Sequence, residues 1–437
     1  MNITTRRSLV ARLLLGSSLL LGGSGAADSA SPAVSIQKKQ DLYYDVVMDY
    51  TGRTHREMGK ALAQAILEAM PDYEATVDSL LEDQFTLLLQ HYPSPTFSVA
   101  AERARAILRN VPKDYVDEIQ GMQEVFNEET DRLGDGKLSA NELLVLQVFQ
   151  DVLRPTQCSA SAAFGTSSAT GKTILGRSLD WDALPRNDTS KLHAISTLKN
   201  GDKTLCLIHF LGTLTPNSLF NTHKVFGALL DAETGAPYPT DLSTKRSYAF
   251  DLRYALENTS TLQDAADDLA TKDYAFNHLI FLADETTAAV LEQDLGSPGR
   301  GLRRADSPLR PGVSWGIPAA VATVNDFRLP GNFFLEPDPA DTNRWNSFKG
   351  LYGSQLARAP IDLELMKGIA GFSGTDGNAH SSGALFLSNT IVTVQSIVLR
   401  MDTLELWMHF SPTGTGLMPL HPTYIHVPTA LETVRTP

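Results

Sequence analysis

Cysteine is scarce in this 437-residue chain, in which only Cys158 and Cys206 occur. Two cysteines allow at most one disulfide bond, and they give none of the paired spacings that structural zinc sites use. The chain also lacks a His-Glu-x-x-His motif, so no metal site is expected. It contains no Gly-x-Ser-x-Gly turn, which argues against a serine hydrolase of the α/β class. These absences predict a protein that needs neither a metal ion nor another cofactor.

Basic residues are in deficit as well. There are 37 lysines and arginines against 50 aspartates and glutamates, which gives a formal net charge of −13 and a pI of about 5.2. Nucleic-acid-binding domains usually present a basic surface, so no nucleic-acid partner is expected. Beyond the first 26 residues no apolar run reaches 18 residues, so we expect no integral membrane segment after that part is removed.

Two ligand-binding motifs are incomplete. Gly-Lys-Thr at 171–173 matches the end of a phosphate-binding loop, but the glycine required five residues earlier is Thr166. The segment 131–142 has part of the spacing of a calcium loop, but a leucine occupies its third position, which must supply an oxygen ligand. Ser139 and Glu142 instead match the N-cap and capping-box residues of a helix. We favour the helix, and calcium binding stays open.

The first 26 residues have the three parts of an export signal. These are a positive start at Arg6 and Arg7, an apolar core over 9–21, and small residues before a cleavage point near Ala26. The arginine pair is also similar to a twin-arginine signal, so both export routes stay open. We therefore expect an exported protein, periplasmic or secreted. Residues 27–40 are rich in Ala, Ser, Pro, Gln and Lys and are expected to form a disordered linker.

The remainder divides into a helical part, 41–157, and a strand-rich part, 158–437. The helical part begins with a strand over 41–50 and continues with apolar residues at helical spacing, including Met58 and Leu62. In the second part, strands are predicted at 158–164, 173–179, 193–199, 204–210, 226–231, 278–283, 287–292, 321–324, 383–400 and 404–410, and helices at 248–257, 261–271 and 343–357. This order of elements indicates an α+β fold.

The two cysteines lie in different surroundings. Cys206 falls in an apolar strand pattern over 204–210, where a cysteine packs as a small hydrophobic residue. Cys158 follows a predicted helix, and a strand that carries Arg177 and Asp180 comes soon after it. A thiol attacks only as a thiolate, which a positive neighbour or a base must favour. Cys158 is therefore the candidate nucleophile.

Cys158 would carry its own base if it began a polypeptide chain. An α-amino group has a pKa of about 7.7–8.0, close to the pH at which general bases are efficient. A cut before Cys158 would create such an amine, with Arg177 to favour the thiolate and Asp180 to orient the ammonium form. Side chains alternate along a strand, so Arg177 and Asp180 are expected on opposite faces. We therefore predict a bend, with Gly176 permitting it, that brings both side chains to the site.

The same residues carry a resemblance to a known family. Cys158-Ser159 after a helix, followed by Gly-Lys-Thr-Ile-Leu-Gly-Arg-Ser-Leu-Asp-Trp over 171–181, resembles the N-terminal-nucleophile (Ntn) amidases. This group includes acid ceramidase, choloylglycine hydrolase and penicillin V acylase. The chain resembles most closely the branch of isopenicillin N acyltransferase, the peptidase C45 type. The likeness covers most of 41–412 and implies an αββα four-layer sandwich and self-cleavage between Gln157 and Cys158.

The resemblance also implies roles for residues far along the chain. Asn325 would donate its amide hydrogens to the oxyanion, and Asn277 is a weaker rival for that role. Arg344 would hold the pocket together or neutralise charge. Asp231 falls where choloylglycine hydrolases have an asparagine and would contact the substrate.

The function implied by the resemblance is hydrolysis or transfer of the acyl group of an N-acyl amide through a thioester on Cys158. The helical pro-part 41–157 and the catalytic part 158–437 would then form an α/β heterodimer, with higher oligomers left open. Two other functions stay open. One is an exported binding protein that keeps the Ntn fold without turnover. The other is an amidase that pairs Cys158 with a distant histidine and is not cut.

Overall fold

Two β-sheets lie at the centre of the fold. The computed structural model describes residues 32–87, 96–153, 157–232, 238–295, 300–332, 338–374, 379–389, 391–414 and 419–433. Within these residues, one sheet has nine strands and the other has six. The export signal predicted for 1–26 lies outside the described residues.

The larger sheet combines strands from both parts of the chain. In spatial order its strands are β1 (Val34–Lys39), β2 (Tyr43–Asp49), β5 (His193–Asn200), β6 (Lys203–Phe210), β7 (Ser218–Asn221), β8 (Phe226–Asp231), β9 (His278–Ala283), β10 (Ala288–Gln293) and β11 (Gly301–Arg303). Neighbouring strands are antiparallel except β2 and β5, which are parallel. Residues that precede Cys158 therefore supply two of the nine strands.

The smaller sheet carries the candidate nucleophile. Its strands, in spatial order and all antiparallel, are β12 (Ala320–Thr323), β3 (Gln157–Ala163), β4 (Ile174–Asp182), β13 (Ile391–Arg400), β14 (Glu405–Phe410) and β15 (Ile425–His426). Cys158 is the second residue of β3, and β3 has a neighbour on each side. Cys158 thus lies at the start of an interior strand, between β12 and β4.

Ten α-helices surround the two sheets in the part of the chain that the structure describes. They are α1 (His55–Ala69), α2 (Tyr73–Thr86), α3 (Phe97–Leu108), α4 (Lys113–Gln123), α5 (Ala140–Gln147), α6 (Phe149–Leu153), α7 (Tyr248–Asn258), α8 (Leu262–Ala270), α9 (Pro339–Leu356) and α10 (Leu363–Ala370). No helix of these described ranges is both long and apolar enough to cross a bilayer.

The elements stack as helices, sheet, sheet, helices. Helices α7 and α8 pack on the larger sheet, and α9 and α10 pack on the smaller sheet. The inner faces of the sheets meet: Arg177 donates to the Leu229 carbonyl of β8 at 3.0 Å, and Gln395 donates to the His209 carbonyl of β6 at 3.2 Å. The α+β class and the αββα sandwich are therefore confirmed.

Cover on both faces explains the sequence of the central strands. Every residue of β8, β9 and β10 is buried. A strand with one wet face alternates polar and apolar residues, whereas a strand covered on both faces reads as a continuous apolar run. The apolar run over 279–283 therefore reflects the position of β9 between the other sheet and the outer helices.

The helices of the N-terminal part begin and pack through short-range signals. Thr54 caps α1, and Glu57 completes the capping box. Helices α1 and α4 approach closely at two glycines. A Cβ at Gly59 would lie 1.9 Å from the Glu118 carbonyl oxygen, and a Cβ at Gly121 would lie 2.0 Å from a main-chain oxygen of α1. Larger residues at either glycine would force the helices apart.

Several sequence predictions need correction. The linker predicted as disordered over 27–40 is wrong over 34–39, where β1 pairs with β2 from Val34↔Met48 to Lys39↔Tyr43. Its polar composition hid the strand, because an edge strand is held by backbone pairing and can expose its side chains. The strand predicted from 383 begins only at Ile391, and β7 and α10 were not predicted. The division of the chain at 157/158 stays a prediction.

The segment 131–142 forms a turn followed by a capped helix, as favoured above. The Ser139 hydroxyl accepts the Glu142 N–H at 3.1 Å, and the Glu142 carboxylate accepts the Ser139 N–H at 2.6 Å. Asp78 of α2 accepts main-chain N–H groups of Gly134 and Gly136 at 2.8 and 2.6 Å. The acidic side chains of this segment thus serve the backbone, and the described residues contain no cluster suited to a metal ion.

A buried carboxyl group joins the two parts of the chain and makes stability depend on pH. Asp151 of α6 accepts the Ser247 hydroxyl at 2.6 Å and the Tyr248 N–H at 2.9 Å, where α7 begins. Burial raises the pKa of Asp151 from 3.8 to about 8. Between these values the folded chain binds more protons than the unfolded chain. The free energy of unfolding therefore falls as pH rises from about 4 to about 8.

We predict that Asp151→Asn removes this pH dependence. The amide cannot ionise, so its unfolding free energy should fall less steeply over that interval than that of wild type. Urea unfolding at a series of pH values measures both slopes. Asp264→Asn, at an exposed helix start, is the matched control and should keep the wild-type slope. Equal slopes for Asp151→Asn and wild type would contradict the prediction.

Candidate active site

Cys158 is buried on the inner face of the smaller sheet. Its Cα pairs with that of Leu179 on β4, and Ala160 pairs with Arg177. Residues paired across an antiparallel ladder point to the same face. Arg177 therefore lies on the same face as Cys158, and its Nη2 is 3.4 Å from the Cys158 Sγ.

The expected bend at Gly176 is absent. The ladder between β3 and β4 continues without interruption through the Ser161↔Gly176 pair. The long side chain of Arg177 reaches the thiol from a regular strand. Gly176 serves a different purpose, because a Cβ there would lie 3.1 Å from Ala370 and Met366 of α10. The glycine lets that helix pack against the sheet.

Arg177 carries a buried charge with little compensation. Its Nη2 also donates to the Leu229 carbonyl at 3.0 Å, while its Nε and Nη1 have no hydrogen-bond partner and it forms no ion pair among the described residues. An unpaired buried charge costs several kcal/mol unless an anion compensates it. The Arg177 charge lowers the pKa of the Cys158 thiol, but burial raises that pKa more.

Asp180 contacts Cys158 through its main chain. Its main-chain N–H donates toward the Cys158 sulfur, whereas its carboxylate lies on the opposite face of β4. There the Thr393 hydroxyl donates to Oδ1 at 2.6 Å, and the His380 Nε2 lies 3.1 Å from Oδ2. The opposite faces expected for Arg177 and Asp180 are thus observed.

Asn325, directly after β12, holds the backbone nitrogen of Cys158. Its Oδ1 accepts the Cys158 N–H at 2.8 Å and the Arg344 Nη2 at 2.9 Å, and its Nδ2 donates to the Asp231 carbonyl at 2.7 Å. Because Arg344 can only donate and a carbonyl can only accept, these partners define which amide atom is oxygen. Nδ2 carries a second hydrogen, for which the described residues show no acceptor.

Arg344 binds the main chain of Cys158. It lies on α9, and its Nη1 donates to the Cys158 carbonyl at 3.0 Å. One turn earlier on the same helix, Asp341 pairs with its guanidinium and also accepts the Asn325 N–H at 3.3 Å. Arg344 thus contacts Cys158 through the main-chain oxygen and contacts Asn325 and Asp341 through their side chains.

The remaining predicted residues have distinct places. Asp231 ends β8; its main-chain oxygen accepts the Asn325 amide, and its carboxylate accepts the Ala232 N–H. Asn277 accepts the Leu295 N–H at 2.9 Å beside the larger sheet. Gln157 precedes Cys158 within β3 and pairs with Asp180. The bond predicted to be cut therefore lies beside the Asp180 position.

Opposing effects act on the pKa of the Cys158 thiol. Burial raises this pKa most, and the Arg177 charge lowers it. The Asp180 charge raises it, and the Asp180 N–H and Arg344 lower it. The net result is a raised pKa, so the thiol of the uncut chain is mainly protonated at neutral pH. Among the described residues no histidine hydrogen-bonds this thiol, so a proton acceptor must come from elsewhere.

A small apolar cavity is lined by residues of both sheets and of the N-terminal helices, and Cys158 is not among the residues that line it. It has a volume of about 30 Å³ and includes Phe149 of α6 and Trp181 and Phe210 of the two sheets in its wall. Trp181 is two residues along β4 from the partner of Cys158, and such diagonal neighbours lie about 7–8 Å apart. The Trp181 Nε1 and the Gln150 Oε1 have no hydrogen-bond partner in the described structure. The hydroxyl of Thr189 is a third polar group of the cavity wall without a hydrogen-bond partner among the described residues.

No protein-family model and no curated protein matches the sequence. Among solved structures, an N-acylethanolamine-hydrolyzing acid amidase ortholog from Caenorhabditis elegans is 16% identical, with 55% of this chain and 92% of that chain covered and a TM-score of 0.37. A mutant of conjugated bile acid hydrolase from Clostridium perfringens is 11% identical, with 64% and 99% covered and a TM-score of 0.35. Penicillin V acylase from Agrobacterium tumefaciens is 12% identical, with 62% and 86% covered and a TM-score of 0.35.

Proposed function

We propose that this chain is a self-processing amidohydrolase or acyltransferase whose nucleophile is Cys158, freed as an N-terminus by cleavage after Gln157. One observation carries the proposal: three buried partners hold three different atoms of Cys158. Asn325 accepts its N–H, Arg344 donates to its carbonyl oxygen, and Arg177 donates to its sulfur. A cysteine that served only packing would need none of these charged and amide partners.

In the proposed self-cleavage, the Cys158 sulfur attacks the carbonyl carbon of Gln157. The C–S bond forms and the peptide C–N bond breaks, and the thiol proton passes to the departing nitrogen of Cys158. Water then attacks the thioester, the C–S bond breaks, and Gln157 becomes a carboxylate. The hydrogen bond from the Cys158 N–H to Asn325 supports this step, because it fixes the nitrogen that must depart.

In the proposed turnover, the new amine of Cys158 removes the proton of its own thiol. The thiolate attacks the carbonyl of an N-acyl amide, Asn325 donates its second Nδ2 hydrogen to the oxyanion, and the ammonium protonates the leaving amine. Water or another amine then attacks the thioester, which decides between hydrolysis and transfer. The raised pKa of the buried thiol fits this scheme, since the amine supplies the base that the uncut chain lacks.

The apolar cavity beside Trp181 favours a substrate with a short apolar acyl group. Its volume of about 30 Å³ corresponds to roughly one or two water molecules or a small alkyl group. A series of N-acyl amides that differ only in acyl length tests this choice, with kcat/KM highest for the short members. Highest kcat/KM for the longest chains would contradict it.

We further propose that the two fragments remain one particle, with 41–157 as the α-chain and 158–437 as the β-chain. Strand β2 of the first fragment pairs with β5 of the second. Glu118 and Arg253, both fully buried, form two hydrogen bonds at 2.8 and 2.9 Å across the same division. Burial raises the pKa of Glu118 most, but the Arg253 charge and the hydrogen bonds from His55 and Arg253 together outweigh burial, and the pKa is lowered. This pair is ionised and holds the fragments together.

We predict that Glu118→Gln lowers the free energy of unfolding by about 3–5 kcal/mol, because it leaves Arg253 buried without its counter-charge. The double variant Glu118→Leu/Arg253→Met should lose less, since apolar side chains need no partner. Urea unfolding of the purified protein measures both. An unchanged unfolding free energy for Glu118→Gln would show that the Glu118–Arg253 pair does not hold the fragments together.

Mass spectrometry and N-terminal sequencing of the purified protein test cleavage and export together. Two chains are expected after expression with the native N-terminus. The β-chain should begin at Cys158, and the α-chain should begin near residue 27, where an export signal would have been removed. An α-chain that retains residues 1–26 in the periplasmic or secreted fraction would contradict signal removal. A single chain that spans 157 and 158, with no turnover, would favour an exported binding protein.

A further inference from the structure

His380 lies in the candidate site although nothing in the sequence around it marks a functional residue. It begins a 3₁₀ turn over 380–382 and is 8% exposed. Its Nε2 is 3.1 Å from the Asp180 Oδ2 and 3.4 Å from the Arg344 Nη1. A guanidinium only donates and a carboxylate only accepts. The shorter contact to the negative group therefore identifies an Nε2–H that donates to Asp180.

The Asp180 carboxylate is held at both oxygens, each from a different element. His380 donates to Oδ2, and the Thr393 hydroxyl of β13 donates to Oδ1 at 2.6 Å. Thr393 is also the register partner of Asp180, so its hydroxyl lies on the same strand face. Two donors on two oxygens remove the rotation that a carboxylate otherwise keeps about its last bond. The charge of Asp180 thus has one fixed orientation.

That orientation matters because of where the new amine would form. Gln157 is the register partner of Asp180, and the proposed cut removes Gln157 from this pair. The Cys158 amine would then lie beside the position that Gln157 leaves. A carboxylate that is correctly aimed can accept from the ammonium form and hold the amine near the thiol. A carboxylate that rotates would hold the amine in many orientations.

We propose that His380 is a positioning residue, which holds the Asp180 carboxylate toward the amine of Cys158. It contacts neither the thiol nor, in the proposed scheme, the substrate, and it acts through Asp180. The inference rests on the proposed function, since it assigns a role only if Cys158 becomes an N-terminus. It adds to the site a residue supplied by the turn between α10 and β13.

The test compares His380→Leu with His380→Gln in the self-processed protein. Leucine removes the donor to Asp180, whereas the glutamine amide can still donate. We expect kcat of His380→Leu to fall about 10- to 100-fold with KM unchanged, because misplacement of a reacting group by about 1 Å costs up to that much. His380→Gln should recover most of the wild-type kcat. His193→Leu replaces another buried histidine, away from Asp180, and controls for loss of packing.

The second oxygen of Asp180 provides an independent test. Thr393→Val should lower kcat in the same direction, and Thr393→Ser, which keeps a hydroxyl, should not. If the unfolding midpoint of His380→Leu shows that this variant does not fold, the two Thr393 variants test the positioning of Asp180 without it. Wild-type kcat in His380→Leu and Thr393→Val would overturn the inference, as would equal losses in His380→Gln and His380→Leu. Absence of cleavage in wild type would instead overturn the proposed function.

Discussion

Replacement of Cys158 by alanine is expected to abolish both self-cleavage and amide turnover. The sulfur is the attacking atom in both proposed reactions, and a methyl group cannot form the thioester. Denaturing gels should show two chains for wild type and one uncut chain for Cys158→Ala. Activity on N-acyl amides should fall to background in the variant. A thiol-directed acylating probe should label the β-chain of wild type only.

Cys206 supplies the matched control for this experiment. It is equally buried, but it lies within β6, and burial raises the pKa of its thiol far above the usual value. Cys206→Ala should be cut and should keep wild-type kcat, with a lower unfolding temperature because a core atom is removed. Cleavage of Cys158→Ala at the wild-type rate would refute the assignment of the nucleophile. Loss of turnover in Cys206→Ala alone would point to the other thiol.

The second large effect is expected from Asn325→Ala, which should lower kcat by about 10²–10³. The amide has one donor hydrogen left for the oxyanion, and it also accepts the N–H of Cys158. Self-cleavage should therefore slow in the same variant. Steady-state kinetics on fully cut protein measures the first effect, and the appearance of the β-chain over time measures the second.

Asn277→Ala is the control for Asn325→Ala, because Asn277 was the rival for the oxyanion role. Its amide oxygen accepts the Leu295 N–H, and no hydrogen bond between Asn277 and Cys158 is found among the described residues. The control should cost stability and leave kcat within a few-fold of wild type. A larger loss of kcat in Asn277→Ala than in Asn325→Ala would reverse the assignment. Equal, small losses of kcat in Asn277→Ala and Asn325→Ala would indicate that backbone N–H groups are the oxyanion donors.

The strand and helix patterns identified most central elements because their signals are local. The apolar runs of β9 and β10 and the Ser139/Glu142 capping box depend on neighbours within a few residues. Strand β1 had no such signal. Apart from Val34 and Ile36 its residues are polar, and pairing with β2 makes it a strand.

The site shows the same division between local and long-range information. Cys158, Arg177 and Asp180 lie within 23 residues and were selected from the chemistry of thiols and from a family resemblance. The bend expected in β4 is absent, and β3 and β4 form a regular ladder instead. The long side chain of Arg177 and the backbone N–H of Asp180, both on β4, reach the Cys158 sulfur. The register between β3 and β4 decided which groups of β4 reach the sulfur.

The sequence alone determined the α+β class, the candidate nucleophile and the net charge of −13, since composition and short-range periodicity contain that information. Only the tertiary structure decided which distant groups surround Cys158. His380 is 200 residues from Asp180 along the chain and follows no motif, and it meets the carboxylate because a turn after α10 crosses the outer face of β4. Contacts of that separation depend on the packing of whole elements, and no local pattern records them.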